Sequence, residues 1–317
     1  MGKGLQILIL ILPIFSSAQD SIPLLQSITT TERVNFAENT KREWIIGGIT
    51  TAAFGGSLIL LNETWYKNYD KTSFHVFNDS GEWLQMDKIG HSWTAYNISH
   101  ATASTWQWTG MSKNRSIILG SVSSLGYLAA IEFLDAHSTK WGWSWADITA
   151  NFFGTSLFAL QEMKWNEQKF QLKFSAHMKN YESSLQKRAD ELFGNTLAER
   201  LLKDYNQQTY WLSLNVKSFI TNAKLPQWLN ISVGYGAQDM FGGFENVAYD
   251  KNGNLTFSRL DIKRYRQFYL SPDVDFTKIK TTNKVLKTTF NILNALKLPA
   301  PALEFSNGKL QGHILLF

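Results

Sequence analysis

Trp44-Ile45-Ile46-Gly47-Gly48-Ile49-Thr50-Thr51-Ala52-Ala53-Phe54-Gly55-Gly56-Ser57-Leu58-Ile59-Leu60-Leu61 runs for 18 residues without a charge. As a helix it would be about 27 Å long, close to the thickness of a bilayer's hydrocarbon core. Two more stretches have the same texture. Ile117 to Leu134 carries Glu132 near its end, and Trp143 to Leu160 carries Asp147 and Asn151. Between the first and second lies Asp87 to Thr105, less apolar but uncharged after Lys88. Together they predict an N-terminal apolar helical bundle of about four helices over residues 40–165. Small residues four apart, such as Gly120 and Ser124, would let backbones approach closely. Trp44, Trp65, Trp83, Trp106, Trp108, Trp141 and Trp143 fall at the ends of these stretches, where an interfacial aromatic belt would lie. A soluble bundle should show polar outer faces and these stretches barely do, so membrane insertion is expected over an all-apolar soluble core.

After about Gln168 the period changes from helical to two. Phe170, Leu172, Phe174 and Ala176 alternate with polar neighbours, as do Tyr210, Leu212, Leu214 and Val216, and Leu229, Ile231, Val233 and Tyr235. Phe268, Leu270, Val274, Phe276 and Ile279 make a longer extended stretch broken by Pro272. Such alternation marks strands with one apolar and one polar face. Lys284 to Lys297 returns to helical spacing. The expected fold is therefore α+β: the helical bundle, then an antiparallel β-rich module over 169–317 with one late helix. The closing Leu310-Gln311-Gly312-His313-Ile314-Leu315-Leu316-Phe317 resembles the aromatic end of an outer-membrane barrel, although Gln311 and His313 fall in phase with Phe317. About six strands are fewer than the eight of the smallest such barrels. An open soluble sheet and an outer-membrane-associated barrel both stay in play.

Composition narrows the function classes. The 317 residues contain no cysteine, which excludes disulfide scaffolds, thiolate metal sites and a cysteine nucleophile. At 18% charged and 14% aromatic the chain is not of the disordered class. The net charge of +5 comes from no basic block, so nucleic acid is not an expected partner. Met1-Gly2-Lys3-Gly4, an apolar run from Leu5 to Phe15 and the small residues Ser16-Ser17-Ala18 read as a secretory signal peptide over 1–18. With no cysteine at the new terminus, a lipoprotein anchor is not expected.

The polar exceptions in the helical half are the candidate site. Asp87 and His91 are four apart, about 40° from each other on one helical face, and Asp147 and Asn151 repeat that spacing. Glu132 and Asp135 are three apart near a helix end. His100 is half a turn out of phase with His91 and should not join them. The run Asp87-Lys88-Ile89-Gly90-His91 resembles the Asp-Lys-x-x-His that opens a helix in VanZ-like proteins. Glu132-Phe133-Leu134-Asp135 and Gly142-Trp143-Ser144-Trp145-Ala146-Asp147-Ile148-Thr149-Ala150-Asn151-Phe152-Phe153-Gly154 continue the pattern. It is most similar to the YfiM-type putative periplasmic lipoproteins, a family of unknown function, over roughly residues 40–160. VanZ-like relatives are tied to glycopeptide resistance, and the resemblance carries over no catalytic role.

The candidate cluster is thus Asp87, Lys88, His91, Glu132, Asp135, Asp147 and Asn151. Ionisable groups in a membrane-facing bundle usually turn inward toward a partner. The leading expectation is structural, with His91 hydrogen-bonded to one of Glu132, Asp135 or Asp147 and the helices held in register. Imidazole plus carboxylates also suits Zn, Mn or Fe, but one histidine is thin for such a site, so no metal and no cofactor is expected. Acid–base work on an envelope lipid or cell-wall precursor is the alternative. The sequence reading as a whole is an exported, membrane-associated envelope protein with a structural or interaction role. Its partners would be membrane lipid and other envelope proteins.

Overall fold

The computed structural model describes residues 39–64, 66–222 and 224–316. The expected signal peptide over 1–18, Trp65 and Phe317 lie outside the described residues. The chain is α+β, with seven α-helices and eight strands among those residues.

Four helices come first: α1 (Thr40–Thr64), α2 (Met86–Trp108), α3 (Lys113–Ala136) and α4 (Trp145–Trp165). The expected bundle is in fact three helices packed closely on one another, α2 to α4, with α1 lying alongside. Ser57 on α1 meets the hydroxyl of Tyr127 on α3 at 2.9 Å, and Phe54 stacks on the same ring. Glycine sets the spacing of the three. A Cβ at Gly154 would fall onto the carbonyl of Ser92, and one at Gly120 would come within 2.6 Å of the Ala103 nitrogen. Close approach also lets Ser92 Oγ donate to Ala150 O across the α2–α4 contact at 3.0 Å.

α1 and α3 are each long and apolar enough to cross a membrane by length and composition. On α3 the inward face carries Glu132 and Asp135, both buried, and 39% of its most apolar window is covered. Its composition therefore also suits a core helix of this domain. Of the tryptophans expected at the ends of these stretches, Trp44 is 79% exposed, whereas Trp83 is buried against Phe193 and Tyr205.

Six strands form one antiparallel sheet in the order β1-β2-β3-β6-β7-β8. They are β1 (Phe170–Ala176), β2 (Gln208–Asn215), β3 (Leu229–Gln238), β6 (Tyr265–Val274), β7 (Ala300–Ser306) and β8 (Lys309–Leu316). A two-stranded hairpin, β4 (Val247–Tyr249) with β5 (Leu255–Ser258), is separate from it. The second half is less purely strand than its sequence suggests. Besides the late helix α7 (Lys284–Leu293), it contains α5 (Ser183–Phe193) and α6 (Leu197–Lys203).

The sheet is rolled with its polar face inside. Lys173 on β1 and Asp273 on β6 meet at 2.9 Å although two strands lie between them. In a flat sheet those strands would be about 14 Å apart. The free edge of β1 is met by Ala295–Lys297: Phe174 N donates to Ala295 O at 3.0 Å, and Lys297 N donates to Phe174 O at 2.8 Å. Gln171, Lys173, Trp211, Ser213, Asn230, Ser232 and Ser271 fill the interior. The apolar residues point outward. Leu172, Phe174 and Tyr210 pack on Trp93 of α2, so one hydrophobic core runs through both halves of the chain. Ile231, Val233, Phe268, Leu270, Leu303 and Phe305, on the same face further along, are exposed.

Candidate functional site

A strained turn sets the start of α2. Trp83, Leu84 and Gln85 all have positive φ, 50°, 50° and 66°. Non-glycine residues in this region cost about 1–3 kcal/mol each and persist only where surrounding contacts impose them. Here Trp83 N donates to Gly243 O at 2.7 Å, and Leu84 O accepts from the Tyr235 hydroxyl at 2.5 Å. The sheet side of the molecule thus fixes the turn, and the turn fixes Asp87 and Lys88 two residues later.

Lys88 is a tie between segments. Its Nζ lies 2.7 Å from Asp79, 3.0 Å from Asp87 and 2.7 Å from Asp147. Asp147 is positioned by the start of α4, where Ser144 caps the helix by accepting from the Asp147 backbone N–H. The same Ser144 hydroxyl donates to Asp79 at 2.5 Å. Asp87 also accepts from Tyr205 OH at 2.6 Å.

His91 stands one turn deeper. Its Nδ1 is 3.2 Å from Asn151 Oδ1, so the hydrogen bond expected to a carboxylate goes to Asn151 instead. Nδ1 as donor to that oxygen turns Nε2 toward Asp87 and Asp147. The carboxylates stand further off, Asp147 at 3.7 Å and Asp87 at 3.9 Å from Nε2, and Glu132 at 4.0 Å from Nδ1. Glu132 is 2% exposed and makes no hydrogen bond among the described residues. Asp135 is buried nearby and accepts from Tyr66 OH at 3.0 Å rather than joining His91.

Charges in this space shift one another. Burial pushes the Glu132 carboxyl up to about 8 and Asp147 up to about 7, with neighbouring carboxylates adding to both and His91 opposing. Asp87 moves the other way: burial disfavours its charge, but Lys88 and His91 beside it hold the carboxyl well below the usual range. For His91, burial favours the neutral ring, yet Asp147, Asp87 and Glu132 outweigh it and raise its pKa.

The cluster forms the floor of a cavity of about 500 Å³. Asp79 lines it from the loop before α2, Asp87, His91, Glu132, Asp135 and Asp147 from the helices, and Arg188, Glu191, Gly243 and Tyr249 from α5 and the β4 region. All seven residues singled out in the sequence lie in this neighbourhood. Lys88 and Asn151 act as ties to it rather than as lining. His100 is elsewhere, against Phe158 and a second, smaller cavity.

Sequence reading missed Asp79 and Tyr205. Asp79 sits in Asn78-Asp79-Ser80-Gly81, which looks like an ordinary turn. Tyr205 comes from the other half of the chain, and no local pattern points across that distance. Ser144 had a usable signal, since a serine three residues before an acid is a helix-start pattern.

Fold and site together define a class: an α+β protein whose close-packed helices carry a buried acid–histidine cluster open to a cavity, set against an inside-polar rolled sheet. Residues 75–163 match the model of a family described as a predicted periplasmic lipoprotein (DUF2279), whose function is unknown. That match supports an exported, envelope-associated location. It spans α2 to α4 and the approach to them, and does not extend to the VanZ-like or YfiM-type names. No curated protein and no solved structure matches the chain.

Proposed function

We propose that this is an envelope protein that rests against lipid and works through the polar cavity above His91, holding a polar ligand there. One observation carries the reading: side chains from three helices, and Asp79 from the loop before them, converge on an accessible cavity, not only on one another. Lys88 is held by Asp79, Asp87 and Asp147, and His91 lies 3.7 to 4.0 Å from Asp87, Asp147 and Glu132, so carboxyl groups outnumber bases around these two side chains. A network kept for stability alone would balance its charges, since each uncompensated buried ion costs several kcal/mol. An imidazole between carboxylates suits proton exchange with a bound group. The ligand class that fits is a polar portion of an envelope lipid or cell-wall precursor.

The lipid contact rests on apolar surface. Trp44 and Ile59 on α1, Phe152, Phe153 and Leu160 on α4, and Leu310 and Ile314 on β8 are all exposed. Large apolar side chains left exposed on three elements support an interaction surface.

The test of the site is a thermal melt of His91→Ala beside wild type. A cavity residue held for function should change stability by less than about 1 kcal/mol. A structural His91 would leave a buried partner unpaired and lose roughly 1–3 kcal/mol. Flotation with phosphatidylethanolamine/phosphatidylglycerol vesicles tests the lipid contact: the wild type should float, and Ile59→Glu/Leu60→Glu should stay in the dense fraction.

A further inference from the structure

The cluster contains a set of atoms with the spacing of metal ligands. His91 Nε2, a carboxylate oxygen of Asp87 and one of Asp147 all lie within 4.8 Å of one another. The two distances from Nε2 are 3.9 Å and 3.7 Å. Ligands about 2.1 Å from a tetrahedral metal stand roughly 3.4 Å apart, so closure draws the three atoms together from separations of up to 4.8 Å. The ring orientation is also suitable, because Asn151 accepts from Nδ1–H and turns Nε2 toward the two carboxylates, where a metal would replace the Nε2 proton.

A second observation points to a cation independently of that triangle. Glu132 lines the same cavity, is almost fully buried, and has no hydrogen bond among the described residues. Its cationic neighbour is His91 at 4.0 Å, and the Lys88 ammonium is already held by Asp79, Asp87 and Asp147.

From these features we infer that Asp87, His91 and Asp147 bind a divalent transition metal, with Asn151 orienting the imidazole. One nitrogen and carboxylate oxygens, with no sulfur, suit Zn²⁺, Mn²⁺ or Fe²⁺. The inference rests on the cavity reading above and gives it a ligand.

The experiment uses the full chain after chelator treatment, titrated with ZnCl₂ and separately with MnCl₂ by calorimetry and by thermal melt. The wild type should bind one equivalent of at least one metal and melt higher with it. His91→Gln should abolish that response, and Asn151→Ala should weaken it roughly 10–100-fold, as loss of an orienting partner does. His100→Gln, which changes a histidine outside the cluster, should bind like wild type. Absence of binding in the wild type, or equal binding in His91→Gln, overturns the inference. In that event a His91→Ala melt like wild type leaves the cavity reading standing, whereas a destabilised His91→Ala removes that reading as well.

Discussion

Two buried ionic networks occupy this molecule, one in the rolled sheet and one among the helices, and they are built on opposite principles. Inside the sheet, Lys173 pairs with Asp273 at 2.9 Å, Lys297 donates to the carbonyls of Pro272 and Leu298, and Asp275 is held by neutral donors. Lys173 donates to Val274 O at 2.6 Å, Ser213 donates to Asp273 at 2.6 Å, and Gln171 donates to Asp275 at 2.7 Å. The Lys173 and Asp273 side chains are essentially without solvent. Among the helices the same residue types meet in unequal numbers, with longer distances around His91 and a cavity above them. A closed, balanced network gives shape. An open, unbalanced one costs stability that only a ligand or a function explains.

The largest effect should come from the sheet. Asp273→Ala leaves Lys173 charged and uncompensated in the interior, and should cost about 3–5 kcal/mol in denaturant unfolding. Lys173→Met combined with Asp273→Leu should recover most of that loss, since the penalty lies in the orphaned charge. If Asp273→Ala alone is neutral, the contrast between the networks collapses.

Next comes the helix contact. Gly154→Ala pushes a methyl onto the Ser92 backbone and should cost roughly 1–3 kcal/mol. An unaffected melt would show that α4 slides on α2 without difficulty, and the cluster could then not be held at fixed geometry.

These effects show what the sequence could and could not reveal. The three close-packed helices were legible because their apolar runs are long and their exceptions recur at helical spacing, as Asp87/His91 and Asp147/Asn151 do. The strands were legible because Tyr210, Leu212 and Leu214 alternate cleanly. Which side of the sheet faces inward was not, since alternation fixes two faces but not the sign. Lys173, Ser213 and Asp273 lie on the polar face, and that face is the interior. α5 and α6 were missed because they are short and charged, with Glu199 completing a capping box on Thr196 that carries little weight in a strand-rich context. The seven candidate residues lie close together in the fold, but their wiring was not legible, because Asp79, Tyr205 and the hydrogen bond to Asn151 depend on tertiary placement.

A smaller effect separates His100 from the cluster by pH. Burial keeps its pKa below the ordinary histidine value, with Glu162 and Asp275 opposing. The unfolded chain therefore binds a proton there that the folded chain does not, as pH falls below about 6.5. That contribution to stability is fully present above this pH. It declines below it, by at most about 1.4 kcal/mol per pH unit. His100→Phe should flatten the melting temperature against pH between 7 and 5. An unchanged slope would mean that His100 is solvated or paired.

The comparison is tested most directly by two isosteric changes measured side by side, Glu132→Gln and Asp273→Asn, in thermal and denaturant unfolding at neutral pH. Both replace one buried carboxyl by an amide with almost no change of shape. The account predicts that Asp273→Asn unfolds several kcal/mol more easily, since Lys173 loses its counter-charge. It also predicts that Glu132→Gln is as stable as wild type or more so, because burial already holds that carboxyl mostly protonated at neutral pH. A Glu132→Gln variant that falls as far as Asp273→Asn would contradict the account, making the helical cluster a second structural network.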